Sequence, residues 1–344
     1  MIPEESPIRH IRELRLSVGG NDSGREKFAK YTPWFTNVKK LTLVGREYLR
    51  PSWMPSLPQS VASLVISTDT ITLVQIRDIM VQLPNLNDFS LLAPLVETER
   101  GALPGIGTAL RGRFGGKFEL SRGQTNAGIL DILLDIPTGL HFTEVWILGT
   151  HKCFLPIVRL VEACSKTLAK LTYTVVPQCK FHLLGVLLVL ARNIDTSVIS
   201  GAADSEASER SFDFSKFTNL QGAKFQVDWR DGGLVWISAA LSTLRLTTTP
   251  RLSTIQLFLR YSRMRSTKIA IEHTGSDLRQ IADEITRIER EFEGAVDVVM
   301  LPDAEFKKMF DTLNVRIHHS ELALRSSPLR VGSCFLFSAF GPSP

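Results

Sequence analysis

The residues able to do chemistry are thinly spread along this chain. Its seven histidines include no H-E-x-x-H and no pair at metal-ligand spacing, and His318-His319 falls near the C-terminus. Cys153, Cys164, Cys179 and Cys334 form no C-x-x-C and no zinc-like group with histidine, so they read as reduced thiols. Gly-x-Ser-x-Gly is absent, which removes the common serine-hydrolase elbow. Gly101, Gly105, Gly107, Gly112, Gly115 and Gly116 invite a search for a phosphate loop. No G-x-x-x-x-G-K-[ST] is present, and Gly105-Ile-Gly107 runs on into Thr-Ala-Leu-Arg, against the dinucleotide fingerprint. These glycines are expected to shape a long connection instead. Asp131 and Asp135 stand four apart on an expected helix, an ordinary arrangement of surface acids. Arg251, Arg260, Arg263, Arg265 and Lys268 make the densest basic stretch, with no acid between them. Without interleaved aromatics it reads as a solvated strand edge or turn rather than an RNA contact. The expectation is no enzyme, no cofactor, no metal and no nucleic acid.

What the sequence does carry is a repeated phrase, an apolar residue followed at +3 and +5 by two more. Val38, Leu41 and Leu43 in V-K-K-L-T-L-V-G show it most clearly. The same spacing recurs at Ile11, Leu14 and Leu16; Val61, Leu64 and Ile66; Leu86, Phe89 and Leu91; Phe142, Val145 and Ile147; Leu168, Leu171 and Tyr173; and Leu252, Ile255 and Leu257. Looser copies lie at Phe118 and Leu120, at Leu220, Ala223 and Phe225, and at Ala295, Val298 and Met300. From one anchor to the next the distances are 27, 23, 25, 29, 27 and 26 residues, within the leucine-rich-repeat range. The next interval, from Leu171 to Ala223, is 52. It holds a hidden repeat or an insertion, with a flexible loop expected near 201–210.

Between the phrases, helical spacing predicts helices over Thr70–Leu83, Ile129–Ile136, Pro156–Leu168, Phe181–Leu190 and Ser276–Phe292. In the last, Leu278, Ile281, Ile285, Ile288 and Phe292 make the apolar stripe, with Ser276 marking the start and Gly294 the end. The residues midway between anchors are Arg15, Thr42, Val65, Ser90, Glu119, Trp146, Thr172, Lys224 and Gln256, and seven of them are polar. A doubly wound sheet, covered on both faces, would read as nearly continuous apolar runs. The alternation therefore predicts one open sheet face. The fold class expected is an α/β, irregular leucine-rich-repeat horseshoe: a curved parallel sheet on the concave side and helices on the convex side, nine or ten repeats long. Residues 1–9 form a leader, 10–318 the solenoid and 319–344 a poorly patterned tail.

The open face is the expected binding surface for another protein. Arg15, Lys40, Thr42, Glu119, Trp146, Lys170, Thr172, Lys224 and Gln256 are its candidate contacts, and Lys117, Glu144 and Asp228 share it. Trp146 is the aromatic anchor, since tryptophan is enriched where interfaces concentrate their energy. Composition agrees with a binding module: 44% hydrophobic residues supply a core, and a net charge of +5 spread among 35 acids is too mild and too mixed to name a polyanion. The first residues, Met-Ile-Pro-Glu-Glu, lack the basic and apolar regions of a signal peptide, and the longest oily run, Leu183–Ala191, is too short to span a membrane. A cytoplasmic or nuclear address without membrane contact is expected, which makes the sequon at Asn21 a chance match.

The stretches Ser6–Ser17 (S-P-I-R-H-I-R-E-L-R-L-S), Thr32–Leu43 (T-P-W-F-T-N-V-K-K-L-T-L) and Val296–Leu301 (V-D-V-V-M-L), the last behind its amphipathic helix, resemble the fungal F-box-like proteins with irregular leucine-rich repeats. The resemblance covers residues 6–318 and lies in repeat style. It implies that the repeats hold a target protein, while an F-box would recruit the Skp1-type adaptor of a cullin ubiquitin ligase. Nine residues precede His10, and Pro3-Glu4 is followed by no helical pattern, so the F-box itself is expected to be missing. The asparagine ladder of strict repeats is also missing: the places after the second anchor hold Gly19, Arg46 and Asp69. Helix packing is therefore expected to hold the connections.

Overall fold

The computed structural model describes residues 10–18, 31–45, 57–95, 110, 112–121, 127–149, 154–175, 212–229, 234–261 and 267–302. The leader, the helix expected at Phe181–Leu190, the loop near 201–210, residues 303–318 and the tail lie outside them. Each repeated phrase becomes one strand: β1 Glu13–Val18, β2 Lys40–Gly45, β3 Ser63–Thr68, β4 Asp88–Leu91, β5 Lys117–Leu120, β6 Glu144–Gly149, β7 Lys170–Val175, β8 Gly222–Trp229, β9 Thr254–Tyr261 and β10 Asp297–Pro302. The ten strands form a single sheet in sequence order, every neighbour parallel, with β1 and β10 as its open edges. This is α/β architecture that does not close into a barrel.

Strand register follows the phrase. Leu14, Leu41, Leu64 and Phe89 stand opposite one another, as do Phe118, Val145, Leu171, Ala223, Ile255 and Val298. Two residues on, Leu43, Ile66, Leu91, Leu120, Ile147, Tyr173, Phe225, Leu257 and Met300 make a second buried row. Because side chains alternate across a strand, both rows face the same side. The first residue of the phrase is buried at the entry to the strand at Val38, Val61, Leu86, Phe142, Leu168, Leu220 and Leu252, whereas Ile11 is half-buried and Ala295, expected to lead into β10, is exposed and Val296 is buried in its place. Within the 52-residue interval, β7 pairs directly with β8 over six residues, so no strand stands between them in the sheet.

Among the described residues the helices are α1 Leu73–Val81, α2 Ala127–Leu134, α3 Phe154–Ala163, α4 Val235–Ser242 and α5 Thr267–Glu291. Their buried side chains join the strand anchors in one apolar core. Thr72 starts α1 with a capping box: its hydroxyl accepts from Gln75 N–H at 3.2 Å, and the Gln75 side chain accepts from Thr72 N–H at 2.9 Å. Two expected boundaries are corrected. Ser276 lies inside α5, which begins at Thr267, while Gly294 does end the turn beyond it with φ +75°. Helix α3 stops at Ala163 rather than Leu168, because Leu168 is needed as the apolar lead-in to β7 and Thr167 turns back to Cys164. Helix α4 has no counterpart in the periodicity reading. Its sequence, V-W-I-S-A-A-L-S, is apolar on most sides, and five of its eight residues are buried.

Phenylalanines run through the core as a stack, Phe89 to Phe118 at 6.1 Å and Phe118 to Phe142 at 5.3 Å between centroids. A second aromatic group, Tyr173, Phe212, Phe214, Phe217, Phe225 and Trp236, joins β7 and β8 to α4. Helix α4 is held at both ends by α5. At its N-terminus the buried Asp277 carboxylate accepts the Leu234 N–H at 2.8 Å, and at its C-terminus Arg287 donates to the Leu241 and Leu244 carbonyls at 2.8 and 3.0 Å. An acid at the positive end and a base at the negative end both complement the helix dipole.

The connections are not held by helix packing alone. The carbonyl of the residue immediately before β1, β2, β3, β6, β7 or β8 accepts two successive N–H groups from the next repeat: Arg12 from Lys39 and Lys40, Lys39 from Ala62 and Ser63, Ala62 from Asn87 and Asp88, Thr143 from Ala169 and Lys170, Ala169 from Gln221 and Gly222, Gln221 from Ser253 and Thr254. Polar side chains four residues before the first strand anchor reinforce these joints. Ser60 donates to Val38 O at 2.8 Å, Asn85 to Gln59 O at 3.0 Å, Thr167 to Phe142 O at 3.1 Å and Asn219 to Lys166 O at 2.6 Å. The polar ladder thus sits before the strands, not after the second anchor.

Candidate functional site

The sheet face opposite the anchors is where the candidate contacts fall. Arg15, Thr42, Val65, Ser90, Glu119, Trp146, Thr172, Lys224 and Gln256 are register partners in one continuous row, which Val299 extends onto β10. Adjacent members stand about 4.8 Å apart across the sheet. Two residues toward the strand starts runs a second row containing Glu13, Lys40, Ser63, Asp88, Lys117, Glu144, Lys170, Gly222, Thr254 and Asp297. Lys40 and Lys170 belong to this row. All nine candidates are therefore brought onto one face. Asp228 belongs to β8 and pairs with Arg260 in the register.

The middle row is half-buried from Thr42 to Gln256, and Arg15 on the edge strand is exposed. Trp146 is half-buried rather than fully exposed, between Glu119 on β5 and Thr172 on β7. Three lysines are neutralised by acids of the same face: Lys40 by Glu13 at 3.3 Å, Lys117 by Glu119 at 2.7 Å and Lys170 by Glu144 at 2.8 Å. Glu119 also accepts from the Ser90 hydroxyl at 3.2 Å. Such partly exposed pairs add little to stability, but they cancel charge and fix side-chain positions. Lys224 differs: its ammonium lies over the Phe258 ring, 4.6 Å from the centroid. The Lys40–Glu13, Lys170–Glu144 and Lys224–Phe258 contacts join neighbouring strands and depend on register, whereas Lys117 and Glu119 stand two apart on β5 and meet through strand alternation alone.

The other chemical candidates disperse. Cys164 is a buried free thiol pushed up to about 12 by burial, only partly opposed by a hydrogen bond with the Phe142 backbone, so it is neither a nucleophile nor a metal ligand at neutral pH. The other three cysteines and His318-His319 lie outside the described residues. Among the described residues no group of three or more His, Cys, Asp or Glu is placed to hold a metal ion. Asp131 and Asp135 are exposed on and just after α2. In the basic stretch, Arg251 sits in a turn and donates to Asn219 Oδ1 at 3.0 Å, Arg260 belongs to β9 and Lys268 to the first turn of α5. Arg263 and Arg265 lie outside the described residues, as do Gly101, Gly105 and Gly107. Gly115 and Gly116 enter β5 tightly. The Gly115 N–H donates to Asn87 Oδ1 at 3.0 Å, and a Cβ on Gly116 would collide with the Asp88 carboxylate, whose Oδ1 already accepts the Lys117 N–H at 2.8 Å. They shape a connection, as expected.

An open hollow on α5 is lined by Asp283, Thr286, Arg287, Arg290 and Glu291. Its central Arg287 is already engaged by Glu284, Glu291 and the end of α4. No described helix is long and apolar enough to cross a membrane. Neither a scan against protein-family models nor a search of curated proteins gives a match to this chain.

Proposed function

We propose that this chain is a leucine-rich-repeat-like solenoid that binds another protein on its polar sheet face and performs no chemistry. One observation carries the reading. A row of nine mid-phrase residues crosses the sheet in unbroken register, mixed in charge and half-buried apart from the exposed Arg15, while the residues on either side of each in sequence are buried in the core or, on β1, packed against it. A broad, gently charged surface on a rigid sheet suits protein recognition, and the repeat spacing favours a horseshoe with this face concave. The resemblance to F-box-like proteins adds a narrower version, in which the face holds the target of a ubiquitin ligase.

Affinity capture with the wild-type chain beside a Trp146→Ala/Lys170→Ala variant tests the reading. The double variant is expected to lose partners that the wild type and an α3 control, Arg159→Ala, both retain. Equal capture by all three would place binding elsewhere. For the narrower version, Skp1 or a cullin must co-purify with the wild type from cells; its consistent absence removes the ligase link.

A further inference from the structure

We propose that Lys224 is the anion contact of the polar face and receives a carboxylate from an acidic segment of the partner protein. The inference rests on the docking role proposed above and narrows it. Lys40, Lys117 and Lys170 each hold a carboxylate of the same face, so an incoming acid would have to displace a group already in place. Among the described residues Lys224 has neither an ion pair nor a hydrogen bond, and its ammonium lies over the Phe258 ring. Arg15 also lacks an acid partner among the described residues, but it is exposed on the edge strand, where water satisfies it. Lys224 is half-buried in the middle of a four-strand span, β7 to β10.

The surroundings favour a single carboxylate. The ring fixes the ammonium and leaves its three donors free to bond away from it. Its row neighbours are Thr172 and Gln256, and Gln226 follows two residues along the strand; all three are uncharged and able to donate to a second oxygen. On the other side Gly222 contributes no side chain: a Cβ placed there would meet only the Thr254 carbonyl, at 3.8 Å, so the stem of Lys224 is approachable. A nucleic acid would need several free cations in line, and the lysines nearer β1 are already neutralised. An acidic segment needs one, and the chain's net charge of +5 favours its approach.

The test is selection of short random peptides displayed on phage against the full chain, followed by binding measurements on wild type, Lys224→Arg, Lys224→Gln and Trp146→Ala/Lys170→Ala. Enriched peptides are expected to carry Asp or Glu, to bind wild type and Lys224→Arg alike, and to bind Lys224→Gln about tenfold more weakly, the scale of one charge-assisted contact. Suppose instead that the peptides lack acids, or bind Lys224→Gln as tightly as wild type, yet still weaken on Trp146→Ala/Lys170→Ala. The carboxylate assignment then falls and the docking face stands. Peptides indifferent to every substitution overturn both. A selection that enriches nothing counts against the proposal, and so does a single-stranded oligonucleotide that displaces the peptides in a Lys224-dependent manner. Unchanged thermal melting of the variants keeps these outcomes free of folding effects.

Discussion

The two faces of the sheet are built from alternate residues of the same strands, yet they obey different rules. On one, Leu41, Leu43, Leu64, Ile66 and Phe89 have essentially no exposed surface and touch the helices or the turns beneath them. On the other, Thr42, Val65 and Ser90, one residue away, keep part of their surface in water. The first face is apolar along its two central rows apart from the buried Tyr173 hydroxyl; the second mixes acids, bases, hydroxyls, amides and a tryptophan. Strand parity therefore separates the residues that hold the protein together from those that face water. It also explains how a sheet of ten strands can be irregular in loops and helices and still be regular in register.

The sharpest break of this contrast is Leu43→Asp. It places an unpaired carboxylate where the side chain is 1% exposed, at a cost of about 4–5 kcal/mol, a large part of a typical domain's stability. Loss of the cooperative thermal transition by circular dichroism is expected; a normal melt would show that the anchor rows are not the core. Asp277→Ala is intermediate, because Asp277 is a charged group on the buried side whose role is to cap α4. Removing it strands the Leu234 N–H and should lower stability by about 1–2 kcal/mol, with faster amide exchange in α4 than in β4. Equal exchange would mean that the clamp does not hold α4. Thr42→Asp is the smallest: a shift below about 0.5 kcal/mol in denaturant unfolding is expected, since the site is open to solvent and lies near Lys40. A shift comparable with that of Leu43→Asp would erase the distinction between the faces.

Much of this was legible in the amino-acid order. The i+3, i+5 pair of the phrase marks every strand because parallel strands with one buried face demand alternation, and the turn before most strands adds a further apolar residue, though Gly115 takes that place before β5. The same alternation picks out the polar row from Arg15 to Gln256. What was hidden depends on contacts between repeats. Helix α4 has no apolar stripe because it is buried nearly all round between the sheet and α5, so no period stands out. The start of α5 was misplaced because Gly275-Ser276 has the look of a helix entrance, and only the whole element shows the helix passing through it. Ser60, Asn85, Thr167 and Asn219 occupy equivalent places before their strands, but their differing types disguise a shared task, bonding the carbonyls of the preceding repeat. The Lys40–Glu13 and Lys170–Glu144 pairs and the Lys224–Phe258 contact required a register that no single strand specifies.

The paired acceptance of N–H groups by Arg12, Lys39, Ala62, Thr143, Ala169 and Gln221 has a mechanical consequence. Every joint ties one repeat to its successor, and none skips a neighbour. A load applied to the two edges of the sheet would therefore fall on a series of similar fasteners, so that the weakest repeat sets the strength of the whole. Parting at one joint would leave the repeats on either side with their own joints intact, each fragment ending in a strand edge ready to pair again.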